Sequence, residues 1–134
     1  GLAAPQVGIA TQALVIGMGN FVTSEAQEFE QIFFNPVITS FGEETDLIIE
    51  GCLSFPGLFV KIRRPKDIVL EWYTEEGTST SFNFSGMTAR ILQHEIDHLS
   101  GIIFQSRAHK LHLDKAKKDR KLSERRRKRI EEEE

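Results

Sequence analysis

The segment 94-HEIDH-98 puts two imidazoles and a carboxylate within five residues. On a helix, positions i and i+4 lie one turn apart on a single face. Two ring nitrogens so placed converge on one ion, at about 2.0–2.1 Å for zinc. Glu95 falls beside that face, near enough to touch a water on the ion without ligating it. Two ligands plus a general base is the chemistry of metal-assisted hydrolysis. The alternative is a pair of core histidines with satisfied hydrogen bonds. On an enclosed helix, two unmatched imidazoles and a carboxylate would cost several kcal/mol, and a metal ion supplies the missing partner.

A catalytic ion needs a third protein ligand and an open position. Metzincins place a third histidine six residues after the second, but 94-HEIDHLSGIIF-104 has Phe104 there. Other zincins use a downstream glutamate. The first here is Glu124, inside a basic tail and poorly suited to a buried ligand set. His109 and His112 stay open, past the helix in a polar stretch. The best candidate is Cys52, in 50-EGCLSFPG-57, where Gly51 allows close backbone approach. A thiolate beside a dication is deprotonated outright; without an ion, a lone cysteine acts as a small buried hydrophobe.

The elements that must position these groups follow from pattern. Ser85 is the expected N-cap of the helix and Gly101 its C′ residue. At roughly 100° per residue, His94 and His98 fall about 40° apart, in line with Met87 and Ile91. Leu92, Ile96 and Leu99 occupy the opposite side, and only Ala89, Arg90, Gln93 and Asp97 fill the remaining sector. So much apolar circumference predicts a helix enclosed by sheet. Ahead of it, 13-ALVI-16 reads as a buried strand and 17–28 as a loop. The run 32-IFFNPVITSF-41 is a strand that Pro36 demotes to an edge or a bend. Residues 52–57 carry too much Gly and Pro for a regular element. Strands follow at 58-LFVKI-62 and 68-IVLEWY-73, and a turn at 74–77 leads into the alternating 78-TSTSFNF-84 as a hairpin. Residues 111–130 form a charged helix whose closing EEEE opposes the helix dipole and is expected to fray. The fold class is therefore α+β: antiparallel sheets around a central helix carrying HEIDH, plus a C-terminal charged helix.

The 134 residues are one domain's worth of chain, and 40% apolar content with ten Phe supports a real core. The single cysteine rules out an intrachain disulfide and gives no sign of an oxidising compartment. No run approaches membrane-spanning length. The net charge of −3 is split: residues 114–134 hold ten Lys/Arg and seven Asp/Glu, a local +3, which leaves −6 on residues 1–113. An acidic body with a basic tail suggests two tasks.

Taken together, 1-GLAAPQ-6, 50-EGCLS-54 and 94-HEIDH-98 resemble the three motifs of the peptide deformylase family, in the family's order. The likeness covers roughly residues 1–105, with 33-FFNP-36 and the hairpin before the helix also similar. The family's opening motif has a Gly that would precede Gly1, so residues before Gly1 are expected to belong to the protein. The resemblance implies a hydrolase that removes the formyl group from N-formylmethionyl peptides and releases formate. It implies Cys52, His94 and His98 as metal ligands, and Glu95 as general base. It also implies that the Gln6 side chain and the Leu53 N–H meet the oxyanion, and that Gly1 offers backbone hydrogen bonds to the substrate. A methionine-sized pocket is expected, and Ile48, Met87 and Ile91 are assigned to its lining. Asp97 is expected to pair with Arg63 or Arg64, fixing the helix against the strand after the second motif.

The ligand set would satisfy Zn2+, Fe2+, Co2+ or Ni2+, and the resemblance favours Fe2+ physiologically. It also implies that the tail, residues 111–134 beyond a catalytic domain of 1–110, contacts ribosomal RNA. A cytoplasmic monomer that does not bind membranes is expected, with an organelle as the other location. Two competing readings remain: a small metallopeptidase cleaving internal peptide bonds, and a structural metal site in an RNA-binding module. The latter predicts a closed coordination shell and a dispensable Glu95.

Overall fold

The structure, a computed structural model, describes residues 1–4, 12–17, 30–52 and 54–134. Among the described residues, seven strands and two α-helices follow in order: β1 (Leu2–Ala3), β2 (Ala13–Gly17), β3 (Glu30–Phe41), β4 (Thr45–Cys52), β5 (Phe55–Pro65), β6 (Asp67–Tyr73), β7 (Ser79–Ser85), α1 (Gly86–Leu99) and α2 (Lys110–Glu133). A short 3-10 turn, Phe104–Arg107, precedes α2. The α+β class expected from the pattern is the one observed. The chain divides into two compact units, one of residues 1–46 and 64–103 and one of residues 47–63 and 104–134.

The first unit holds a five-stranded sheet in the order β1-β2-β3-β6-β7, its neighbours antiparallel. In β6, Ile68, Leu70 and Trp72 alternate onto one buried face, the period of two that a half-buried strand requires. They pack with Leu14, Ile16, Phe33 and the Ala89 and Leu92 side chains of α1. The Phe33 and Trp72 rings meet edge-on at 5.0 Å between centroids, a favoured aromatic geometry.

Pro36 does not lie on an edge strand: β3 sits between β2 and β6. Its missing N–H is tolerated because the register with β6 shifts between Phe34 and Val37. Asn35 takes a positive φ of 48° at that irregularity, and its N–H is received by the Gln12 carbonyl at 2.8 Å. The strand bends locally, as bulges do.

The second unit pairs β4 with β5 in a two-stranded sheet. The stretch expected to be irregular is therefore largely strand. In β5, Leu58, Val60 and Ile62 alternate inward and pack with Phe104 and Ala116, while Phe55, Ala108 and Leu113 flank them. Burial of this face outweighs the poor strand propensity of Pro56 and Gly57, which lie at the exposed start of β5. Helix α2 continues to Glu133. Arg127, Lys128 and Arg129 stand four residues before Glu131, Glu132 and Glu133, and opposite charges at that spacing support a helix. Among the described residues no helix is long and apolar enough to cross a membrane.

Leu70 is fully buried at the centre of the first core. Leu70→Ala is expected to lower unfolding free energy by about 2–5 kcal/mol, read from chemical denaturation midpoints at unchanged slope.

Candidate metal centre

Helix α1 is anchored at both ends. At its start Ser85 has an extended backbone, but its side chain makes no capping hydrogen bond; the Gly86 N–H is received instead by the Lys66 carbonyl at 3.0 Å. At its end Gly101 takes a φ of 74°. Its N–H bonds the His98 carbonyl at 3.1 Å, and the Ile102 N–H bonds the Asp97 carbonyl at 2.8 Å. That pair of bonds is a Schellman cap, which a glycine at C′ permits.

The sector left to polar residues is not solvated. Arg90 donates to the Asp46 carbonyl at 2.7 Å, and Gln93 to the Pro65 carbonyl at 3.0 Å. Arg64 Nη1 meets Asp97 Oδ2 at 2.9 Å, with 5% and 9% of the two side chains exposed. Three polar clamps thus fix the helix's rotation as well as its position. Sequence reasoning placed Arg90 and Gln93 on the helix without giving them a role, since a polar sector looks the same whether it faces water or backbone carbonyls.

On the other face His94 is buried and His98 half-buried. Their Nε2 atoms lie 3.1 Å apart. Burial lowers the His98 pKa, with the neighbouring His94 acting in the same direction and Asp97 against it; the neutral ring so favoured is the form that ligates metals. Glu95 is 5% exposed, and its Oε2 is buried without a hydrogen-bond partner among the described residues. Burial raises the Glu95 carboxyl pKa, against the opposing influences of His94 and a backbone hydrogen bond from Ala3. Gly1 lies hard against this side chain: a Cβ there would stand 2.9 Å from Glu95 Cγ and 3.0 Å from Ile91 Cγ2. Only a glycine fits without displacing Glu95.

Cys52 ends β4 and is half-buried, with part of its surface packed on the second core. Gly51 beside it faces the Phe59 ring, where a Cβ would meet two ring carbons at 2.8 Å. The paired Nε2 atoms of His94 and His98 could share one metal ion within the first unit, and Cys52, in the second unit, carries the chain's single thiol. His109 and His112 belong to no group of three His, Cys, Asp or Glu side chains that could hold an ion among the described residues. Of the residues assigned to a substrate pocket, Ile91 is half-buried and packs on the first core. Met87 is 43% exposed in the first turn of α1, and Ile48 is half-buried in β4. Gln6 and Leu53 lie outside the described residues.

Two imidazoles and a carboxylate on one buried helix, set on an antiparallel sheet, define an α+β protein with an HExxH-type site. The polypeptide deformylase family profile matches residues 1–114, and the chain belongs to that family. It is 46% identical over 107 residues to the peptide deformylase of Prochlorococcus marinus strain MIT 9515, covering 80% of this chain and 51% of that one. With the Zymomonas mobilis peptide deformylase it shares 40% over 129 residues, or 92% and 73% of the two chains. The plant peptide deformylase PDF1B structure superposes with a TM-score of 0.79 at 31% identity, covering 96% of this chain and 68% of that one. A probable peptide deformylase from Synechococcus phage S-SSM7 gives 0.72 at 40% identity, covering 79% and 70%. The chain spans about half the length of its Prochlorococcus relatives.

Two outcomes are expected from this geometry. Arg64→Ala leaves Asp97 buried without its cation and is expected to destabilise by about 3–5 kcal/mol, read from denaturant unfolding. Glu95 retains its proton to higher pH when folded than when unfolded, so that contribution is complete below the ordinary value of 4.5. It is lost as pH rises through the raised folded value. Metal-free Glu95→Gln should therefore gain Tm over the parent at pH 8 relative to pH 4, by differential scanning fluorimetry. A pH-independent difference would contradict the cost of burying this charge.

Proposed function

We propose that this chain carries out metal-dependent deformylation, hydrolysing the formamide of N-formylmethionyl peptides to release formate. The observation that carries the reading is the pair of imidazoles, His94 and His98, with Nε2 atoms 3.1 Å apart on one face of α1, beside the Glu95 carboxylate, one oxygen of which is buried with no hydrogen-bond partner among the described residues. The donors fit a divalent ion: a thiolate and two neutral imidazoles suit zinc and iron alike. Cys52, His94 and His98 would hold the ion, Fe2+ physiologically. Bound there, it supplies Lewis-acid polarisation and lowers the pKa of water.

The remaining work falls to the chain's own groups. Glu95 takes the proton of the attacking water and returns it to the departing amine nitrogen. Its raised pKa suits both directions of transfer, because a general acid–base catalyst works best near the operating pH. The Gln6 amide and the Leu53 N–H would donate to the oxyanion, and loss of one such donor costs ~2.7–4 kcal/mol of barrier. The Gly1 backbone would pair with the substrate, with Ile48, Met87 and Ile91 around its methionine. The Arg64–Asp97 pair keeps the helix from rotating and so keeps both imidazoles on target.

In this reading residues 1–110 form the catalytic domain, and residues 111–134 are a basic element that contacts ribosomal RNA. Such a contact would weaken steeply with salt. The bacterial relatives support work in the cytoplasm on nascent chains; a monomer completes the proposal.

Formyl-Met-Ala-Ser turnover tests the proposal. The parent should release formate, and Glu95→Ala should keep its metal while losing about 10²–10⁴-fold in kcat. Equal turnover in the variant would exclude Glu95 as the base. Cleavage of internal peptide bonds with indifference to the formyl group would favour a metallopeptidase.

A further inference from the structure

A second concave site lies wholly within the unit formed by residues 47–63 and 104–134. Lys61 and Arg63 reach it from β5, Arg107 from the 3-10 turn, and His109 and His112 from the start of α2. Leu47 and Ala108 complete its wall. Its volume is about 500 Å³, within the range of small-molecule sites.

The charge of the lining is one-sided. Three permanent cations and two imidazoles converge, and no carboxylate is among the lining residues. In an acidic chain of net charge −3, such a concentration is not what random mixing of charges would produce. The strand explains half of it. The inward positions of β5 are Leu58, Val60 and Ile62, so Lys61 and Arg63 are forced together onto the outward face. The helix explains the rest. Helix α2 begins at Lys110 after the N-cap His109 and has no acidic residue in its first turn. The positive end of its dipole is thus left without a side-chain anion. His112 Nδ1 is buried with no hydrogen-bond partner among the described residues, a polar atom that calls for a ligand or a water.

We infer that this pocket at the root of α2 binds a phosphate group. Guanidinium groups present paired N–H donors matched to phosphate oxygens, and the ammonium of Lys61 adds a mobile positive charge. The phosphate could be a free ion or phosphomonoester, or a phosphodiester of RNA; the recognition chemistry is shared. The site is distinct from the metal centre and from the distal run Arg125–Arg129 of the same helix.

Calorimetric titration of the full chain with inorganic phosphate, at ionic strength held constant with chloride, tests the inference. Saturable one-site binding is expected, weakened roughly tenfold or more in Lys61→Gln/Arg107→Gln. It should be unchanged in a variant carrying Arg125→Gln, Arg126→Gln and Arg127→Gln. Lys61 and Arg107 are exposed, and thermal unfolding verifies that the double variant is folded; Lys61→Gln alone serves as the milder substitution. A competition arm with a short oligouridylate separates the sources. Displacement of the RNA by phosphate in a pocket-dependent manner identifies a backbone phosphodiester, and phosphate binding without competition identifies a small phosphate compound; either supports the pocket. Absence of saturable phosphate binding overturns it. So does binding that both pocket variants leave unmoved, or that the tail variant weakens equally. Formate release plays no part in these readouts, so their failure leaves the deformylase reading standing.

Discussion

Two imidazole nitrogens held 3.1 Å apart on one face of a buried helix are the constraint around which the first unit is organised. Polar rings in such a place are unfavourable unless they find partners, and Glu95 adds beside them a carboxylate oxygen with no hydrogen-bond partner among the described residues. A helix carrying this load must be held from elsewhere. Ala89 and Leu92 fasten it to the sheet, and Arg90, Gln93 and Asp97 clamp the opposite sector through Asp46, Pro65 and Arg64. Hydrophobic contact alone lets a helix slide or roll by small amounts. Directional bonds on a second face remove that freedom, which an ion with narrow tolerance in ligand distance requires.

The raised Glu95 pKa and the lowered His98 pKa have one origin: burial disfavours whichever form is charged. For the histidine this preserves the neutral, ligating ring, and for the glutamate it moves the carboxyl toward the pH at which proton exchange with water is useful. The close approach of Gly1 to Glu95 adds steric definition, since the carboxylate is bounded by backbone where any side chain would displace it. Electrostatics and packing therefore act on the same residue in the same direction.

Much of this was legible in the chain. The HEIDH spacing, the helix limits near Ser85 and Gly101, the strands of β2 and β6 and the hairpin into β7 all follow from local periodicity and turn chemistry. The misreadings have identifiable causes. Of the two readings of Pro36, edge or bend, the register shift in β3 fits the bend; the Gly/Pro-rich run around 52–57 reads as irregular by propensity, whereas the inward face of β5 supplies what propensity lacks. His109 and His112 were weighed only as metal ligands. Arg107 stands two residues before His109, but nothing near them in sequence hints that Lys61 and Arg63 share their pocket.

What the sequence determined by itself is whatever depends on neighbours within about one helical turn or one strand: which residues share a face, where α1 starts and stops, and that two imidazoles and a carboxylate travel together. Only the tertiary structure decided which arginine reaches Asp97, that Arg90 and Gln93 bond backbone carbonyls rather than water, and that Gly1 bounds Glu95. It also decided that five cationic or imidazole groups gather at the root of α2. The pairings on α1 join residues from 28 to 94 positions apart. The free energy of a contact depends on distance in space, and periodicity along the chain carries no information about which remote segments the core brings side by side.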